Sequence, residues 1–214
     1  MRFNLLEGRF RGDGLKQSSK WLLVLSVSIA AGIAGDNERT KFEAKPAASY
    51  PRHQSSDKLT IAAEPAETDA ETREAFGKLN PNSYGVLPVL IVMQNDGPDA
   101  IKLDGVKFEY IMPGGEHIEA TPASDVKFLH SARPPNRLPG TIVIKKKAKN
   151  PLDVWEIEGR AFTARMLPAG QSASGYVYFQ VDQPSAAANV DISGIIDAVT
   201  AKELLYFEIP MSGK

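Results

Sequence analysis

The 214-residue chain is predicted to be an all-β protein: an antiparallel two-sheet sandwich with one short helix and one long irregular loop, preceded by a signal segment. Three observations lead there. Alternating apolar and polar residues recur over short stretches, the period of a half-buried strand. Turn-forming Gly, Pro, Asn and Asp separate those stretches. Most distinctively, Leu167-Pro-Ala-Gly170 makes a turn that runs through small polar residues into a strand. There Val177, Phe179 and Val181 face one way, and Tyr176, Tyr178 and Gln180 the other. In all, about seven to nine short strands and almost no helix are expected, the pattern of a sandwich.

Composition narrows the function classes. With 43% hydrophobic and 24% charged residues, the chain reads as globular and not as disordered. A net charge of −1 provides no global field toward nucleic acid or an acidic membrane, so no nucleic-acid partner is expected. Cysteine is absent, which excludes disulfides, thiolate metal sites, haem attachment and cysteine nucleophiles. An exported protein without disulfides needs a full apolar core, and a body of this length can supply one.

The N-terminus carries Arg2, Arg9, Arg11, Lys16 and Lys20 ahead of an apolar run over residues 21–35 that ends in small residues. This is the form of an export signal. The run is shorter than the roughly 20 residues that span a bilayer, which favours cleavage near Ala34 or Gly35 over a permanent anchor. Residues 1–35 are therefore read as a signal peptide or signal anchor, and the protein as exported: periplasmic, cell-surface or secreted. Ile33-Ala-Gly-Asp36 resembles a lipoprotein processing site with Asp36 where the acylated cysteine belongs, so no lipid can be attached. Residues 36–57 are polar, with scattered prolines, and read as a flexible linker. The sandwich is assigned to residues 58–211.

Residues 58–63 look like the first strand. Thr68-Asp-Ala-Glu71 has the form of a capping box and should open a helix to about Phe76, stopped by Gly77. Glu64, Glu67, Asp69, Glu71 and Glu74 crowd this area. Helical spacing spreads them, so a solvated face is preferred to a cation site. Residues 86–93 are almost continuously apolar and read as a central strand buried on both sides. Asn95-Asp-Gly-Pro98 is a turn, in which Asp96 and Asp99 serve the backbone. Val106, Phe108 and Tyr110 alternate with Lys107 and Glu109. A short strand is placed around His117 to Ala120. Residues 121–151 are irregular, apart from a helical turn at 125–129. After them the chain resumes with Trp155, Ile157 and an alternating strand, in which Phe162, Ala164 and Met166 face in and Thr163 and Arg165 face out; Trp155 is placed in the core, with a position at an anionic interface as the alternative. Val190 and Ile192, then Leu205, Phe207 and Ile209, mark the last strands.

No catalytic residue, metal ligand or cofactor is assigned. Ser124-Asp-Val-Lys127 matches a Ser-x-x-Lys spacing, but its companion motifs are missing. Gly170-Gln-Ser-Ala-Ser174 lacks the final glycine of a nucleophile elbow and precedes a strand instead of following one. His53, His117 and His130 have no helical partners, although His117 and His130 flank one irregular region. An envelope hydrolase or metal protein built on residues 117–130 is the alternative to a non-enzymatic module, and a membrane-tethered structural module is another. The most distinctive charge cluster is Arg133, Arg137, Lys145, Lys146, Lys147 and Lys149. A solvated loop is its simplest explanation. The functional reading is contact with an unknown protein or an anionic envelope surface, at about 1 kcal/mol per basic residue near an anionic membrane.

The apolar strand ending in Gln94-Asn-Asp-Gly97, the Leu167-Pro-Ala-Gly170 turn with Gly175-Tyr-Val-Tyr-Phe179 after it, and the export signal together resemble bacterial immunoglobulin-like envelope domains. The resemblance covers roughly residues 58–211. It implies an immunoglobulin-like sandwich serving as spacer, adhesion module or assembly partner, and it implies no activity. The immunoglobulin cysteine pair is absent, and residues 121–151 have no counterpart in that pattern.

Overall fold

The computed structural model describes residues 43–129, 150–204 and 206–212. They belong to one compact unit, Thr40–Lys214. In chain order the strands are β1 (His53–Ser56), β2 (Leu59–Pro65), β3 (Val86–Asn95), β4 (Ile101–Lys102), β5 (Lys107–Ile111), β6 (His117–Glu119), β7 (Met166–Leu167), β8 (Ser172–Gln180), β9 (Asn189–Ser193), β10 (Ile196–Asp197) and β11 (Phe207–Pro210). The α-helices are α1 (Asp69–Phe76), α2 (Ala123–Leu129) and α3 (Trp155–Gly159). The strands form three antiparallel sheets, ordered β1-β2-β3-β8, β10-β4-β7 and β11-β9-β5-β6. The fold is all-β, as the alternation predicts.

The main core lies between the first and third sheets. Alternate residues of β2 and β3 (Leu59, Ile61, Leu87, Val89, Ile91 and Met93) join Val177 and Phe179 of β8. Opposite them come Phe108 and Tyr110, Val190 and Ile192, Phe207 and Ile209. The small sheet adds Ile101 and Leu167 to the same core. Hydrogen bonds tie the two large sheets at their margins. Arg52 Nε donates to the Met211 carbonyl (2.8 Å), and Gln54 Oε1 accepts from the Glu208 amide (2.8 Å). On the other margin the Thr121 amide donates to the Tyr178 carbonyl (2.7 Å).

The other face of the first sheet is also buried. Ala62, Leu90, Val92, Tyr176 and Tyr178 pack beneath Ala75 and Phe76 of α1, Val126 of α2 and Ile157 of α3. This explains why β3 is apolar from Val86 to Met93: it is central in its sheet and covered on both faces. The one predicted helix is present, with its capping box from Thr68 and Glu71 and its stop at Gly77. Two further short helices complete the cover.

Three placements differ from the sequence reading. His53–Ser56, expected in the linker, form β1, so the sandwich begins ahead of residue 58. A two-residue turn, Asp57-Lys58, with both φ angles positive (47° and 64°), joins β1 to β2. That is the geometry favoured in a tight hairpin, though neither residue is the usual glycine or asparagine pairing. Second, Trp155 and Ile157 lie on helix α3, not a strand. Alternation across three residues fits either element, and Ile157 alone of the pair is buried. Trp155, expected in the core, is 49% exposed. Third, the strand expected through Phe162 and Ala164 shrinks to β7. Phe162 and Ala164 do pack against the main core, whereas Met166 is exposed.

Candidate functional site

The segment that sequence analysis singles out is framed by α2 and α3. Helix α2 is positioned by Val126, which buries itself under the first sheet. Helix α3 is positioned by Ile157, whose carbonyl accepts the buried Tyr178 hydroxyl (2.7 Å). Burial pushes that phenol far above its ordinary pKa, with the neighbouring Tyr176 adding to the effect and Arg160 opposing it, so it remains a hydrogen-bond donor. The two helices touch through Lys127 Nζ and Glu158 Oε1 (3.6 Å). The Asn150 side-chain amide donates to the Lys127 carbonyl, and its own Oδ1 caps the Leu152 amide (3.0 Å). The chain on either side of residues 130–149 is thereby held together.

Two aromatic side chains stand out beside this junction. Phe128 is 67% exposed and Trp155 is 49% exposed. Lys127 Nζ lies 5.6 Å from the Phe128 ring centroid, within cation–π range. The indole of Trp155 lies over Gly159, where no larger residue would leave it room. Arg133, Arg137, Lys145, Lys146, Lys147 and Lys149 lie outside the described residues, as does His130. Phe128 carries no signal in the sequence, because it occupies a helical turn too short to show a face; for Trp155 the interfacial alternative, and not the core placement, agrees with its exposure.

The catalytic motifs are not assembled. Ser124 Oγ donates to Asp125 Oδ1 (3.1 Å), while Lys127 is engaged with Glu158, so the hydroxyl and amine of the Ser-x-x-Lys spacing have separate partners. Ser172 and Ser174 lie within β8, not on a strand-to-helix turn. His53 is on β1 and bonds through Nδ1 with the Tyr50 carbonyl (2.6 Å). His117, on β6, faces Glu109 at 3.5 Å. Among the described residues, no three His, Asp or Glu side chains are grouped to hold a metal ion. Three of the acids near α1, Glu64, Asp69 and Glu71, have structural partners. Glu71 Oε2 accepts from the Thr68 amide (2.9 Å) and the Glu67 amide (3.1 Å), and Asp69 accepts from Asn80 Nδ2 (2.6 Å). In the 95–98 turn, Asn95 Oδ1 accepts from the Gly97 amide (3.0 Å), whereas the Asp96 carboxylate accepts from the Gln94 side chain (2.9 Å) and not from the backbone. No described helix is long and apolar enough to cross a membrane. The candidate signal, residues 21–35, lies outside the described residues.

No protein-family model matches the chain, and no curated protein matches it. Solved bacterial structures show a distant likeness. The yjhA protein of Bacillus subtilis is 10% identical, with a TM-score of 0.34 over 65% of this chain and 75% of that one. A candidate lipoprotein of the same organism, ycdA, is 15% identical, with a TM-score of 0.37 over 77% of this chain and 40% of that one. A functionally unknown protein from Listeria monocytogenes is 11% identical, with a TM-score of 0.35 over 76% of this chain and 82% of that one. Likeness at this level carries no argument about what the present chain does.

Proposed function

We propose that this chain is an exported, non-enzymatic β-sandwich of the immunoglobulin-like kind, which works by contact with an anionic envelope surface at the α2–α3 end. One observation carries the reading: Phe128 and Trp155 stand exposed on the two helices that flank the basic segment in sequence. Aromatic rings with lysines beside them suit the boundary between a charged layer and an apolar one. The six basic residues between them supply attraction without any need for a defined pocket. Phospholipid headgroups and acidic envelope polymers share this chemistry.

Sedimentation with vesicles tests it. The mature protein should pellet with vesicles containing phosphatidylglycerol and not with pure phosphatidylcholine, and salt should release it. Lys145→Ala, Lys146→Ala and Lys147→Ala together should weaken partitioning about 100-fold, from roughly 1 kcal/mol per lysine. Retention on immobilised polyglutamate, with no pelleting by either vesicle, would assign the contact to an acidic polymer. Unchanged retention of the triple variant on both materials rejects the proposal. The mass of the protein recovered from the envelope distinguishes cleavage near Ala34 from an uncleaved tether.

A further inference from the structure

A cleft of about 350 Å³ opens between residues 43–51 and α1. This is within the size range of small-ligand sites. Its floor is apolar: Pro65, Ala66, Leu90 and the ring of Tyr176, which packs against Phe76 at 4.9 Å between centroids. Tyr50 forms a second aromatic wall. The Tyr50 hydroxyl accepts from the Lys45 amide (3.0 Å), which fixes the ring and leaves its own hydrogen to donate.

The charge on the walls is lopsided. Glu43, Glu64, Glu71 and Glu74 line the cleft, against one lining ammonium, Lys45. Two of the four carboxylates are committed. Glu64 holds Arg52 (2.7 Å), and Glu71 holds the start of α1. Glu43 and Glu74 make no hydrogen bond or ion pair among the described residues. They flank a cavity whose floor can hold hydrocarbon. Charges of both signs reach that floor. Burial is the main cause that pushes the Tyr176 phenol up to about 12; Arg160 opposes it, and Glu74, Tyr50 and Glu71 add to it. A bare divalent cation fits poorly, because calcium needs six to eight oxygens at about 2.3–2.6 Å and these carboxylates are spread around an open volume.

We propose that this cleft binds an organic ammonium ion, with the charged nitrogen between Glu43 and Glu74 and a short hydrocarbon stem on Leu90 and Tyr176. Aromatic faces and carboxylates both favour such a group, and the apolar floor favours it over a hydrated metal ion. A free alkylamine and a lysine side chain of another protein share the chemistry.

The test is an NMR titration of the intact folded protein with 1,5-diaminopentane, with N-acetyl-lysine methylamide, and with 1-pentanol and pentanoate as controls. Saturable shifts at Tyr50, Leu90 and Tyr176 are expected with the amines and not with the controls. Tighter binding of the diamine identifies a free amine as the ligand, and tighter binding of the lysine derivative identifies a protein side chain. Glu43→Gln and Glu74→Gln should each weaken amine binding about threefold, and together about tenfold, with an unchanged circular dichroism spectrum and melting temperature. Absence of saturable shifts overturns the proposal, as does equal affinity in the double variant.

Discussion

Asn95 shows how much of this fold hangs on a single amide. It is 1% exposed. Its Nδ2 donates to the carbonyls of Asp99 (2.8 Å), Leu167 (3.2 Å) and Pro168 (3.2 Å), while Oδ1 accepts from the Gly97 amide (3.0 Å). Its backbone takes part as well, donating to the Gln171 carbonyl and accepting from the Gly170 amide. Two turns that are far apart in sequence are thus locked into one corner. Asn95→Ala should cost about 2 kcal/mol in urea unfolding, because buried carbonyls lose their donor. Asn95→Asp should cost more at neutral pH, since a carboxylate would face three carbonyl oxygens, and acid should relieve part of the excess. Both turns were legible from their Gly and Pro content. Their partnership was not, because turn chemistry is local and says nothing about which distant carbonyls an amide will meet. The same limit applies to Tyr176 and Tyr178. Alternation places them opposite Val177 and Phe179, but it cannot reveal that helices cover that side.

Among the elements, β8 rewards the closest reading. Its alternation was clear, and it pairs with β3 over nine residues, from Val86 opposite Gln180 to Gln94 opposite Ser172. Gly175 breaks the pattern for a steric reason. The chain at Ala161 and Phe162 runs across it, exchanging hydrogen bonds with Tyr176: the Phe162 amide donates to the Tyr176 carbonyl (2.9 Å), and the Tyr176 amide to the Arg160 carbonyl (2.8 Å). A methyl group at Gly175 would lie 2.5 Å from the backbone nitrogen and Cα of Phe162. Gly175→Ala should therefore destabilise by about 2–3 kcal/mol, read as a lower urea midpoint, because backbone cannot move aside as a side chain can. The stretch that crosses here, residues 155–167, is also where the sequence expectation and the fold part. It contains one helical turn, a bridge and a two-residue strand. Such pieces are too brief for either period to show, whereas α1 announced itself through its cap.

Across the whole molecule, the outer face of the third sheet carries a row of carboxylates in strict register. Glu208 faces Asp191, Asp191 faces Glu109, and Glu109 faces Glu119. Like charges directly opposite one another destabilise a sheet. Burial, then Glu208, raises the Asp191 pKa, Glu109 adds to the rise, and His117 counteracts it. The sign follows. A carboxyl whose folded pKa exceeds its unfolded value costs stability above the folded pKa, and that cost disappears as pH falls toward the unfolded value. Asp197 works in the opposite sense: hydrogen bonds from Thr200 lower its pKa, so its contribution is lost in acid. Comparing Asp191→Asn with wild type separates the two. The variant should be more stable by about 0.5 kcal/mol at pH 7, with the difference closing as the pH approaches 4. A constant difference across that range would show that charge is not the cause.

The bond from Asn150 to the Lys127 carbonyl has a practical consequence. The two flanks of residues 130–149, helix α2 and Asn150, are both fixed against the sandwich and its helices. Closing a longer connection between two fixed points costs only about 0.6 kcal/mol per doubling of length. Lengthening the sequence between Leu129 and Asn150 should therefore leave the stability of the sandwich nearly unchanged, read as an unaltered urea midpoint.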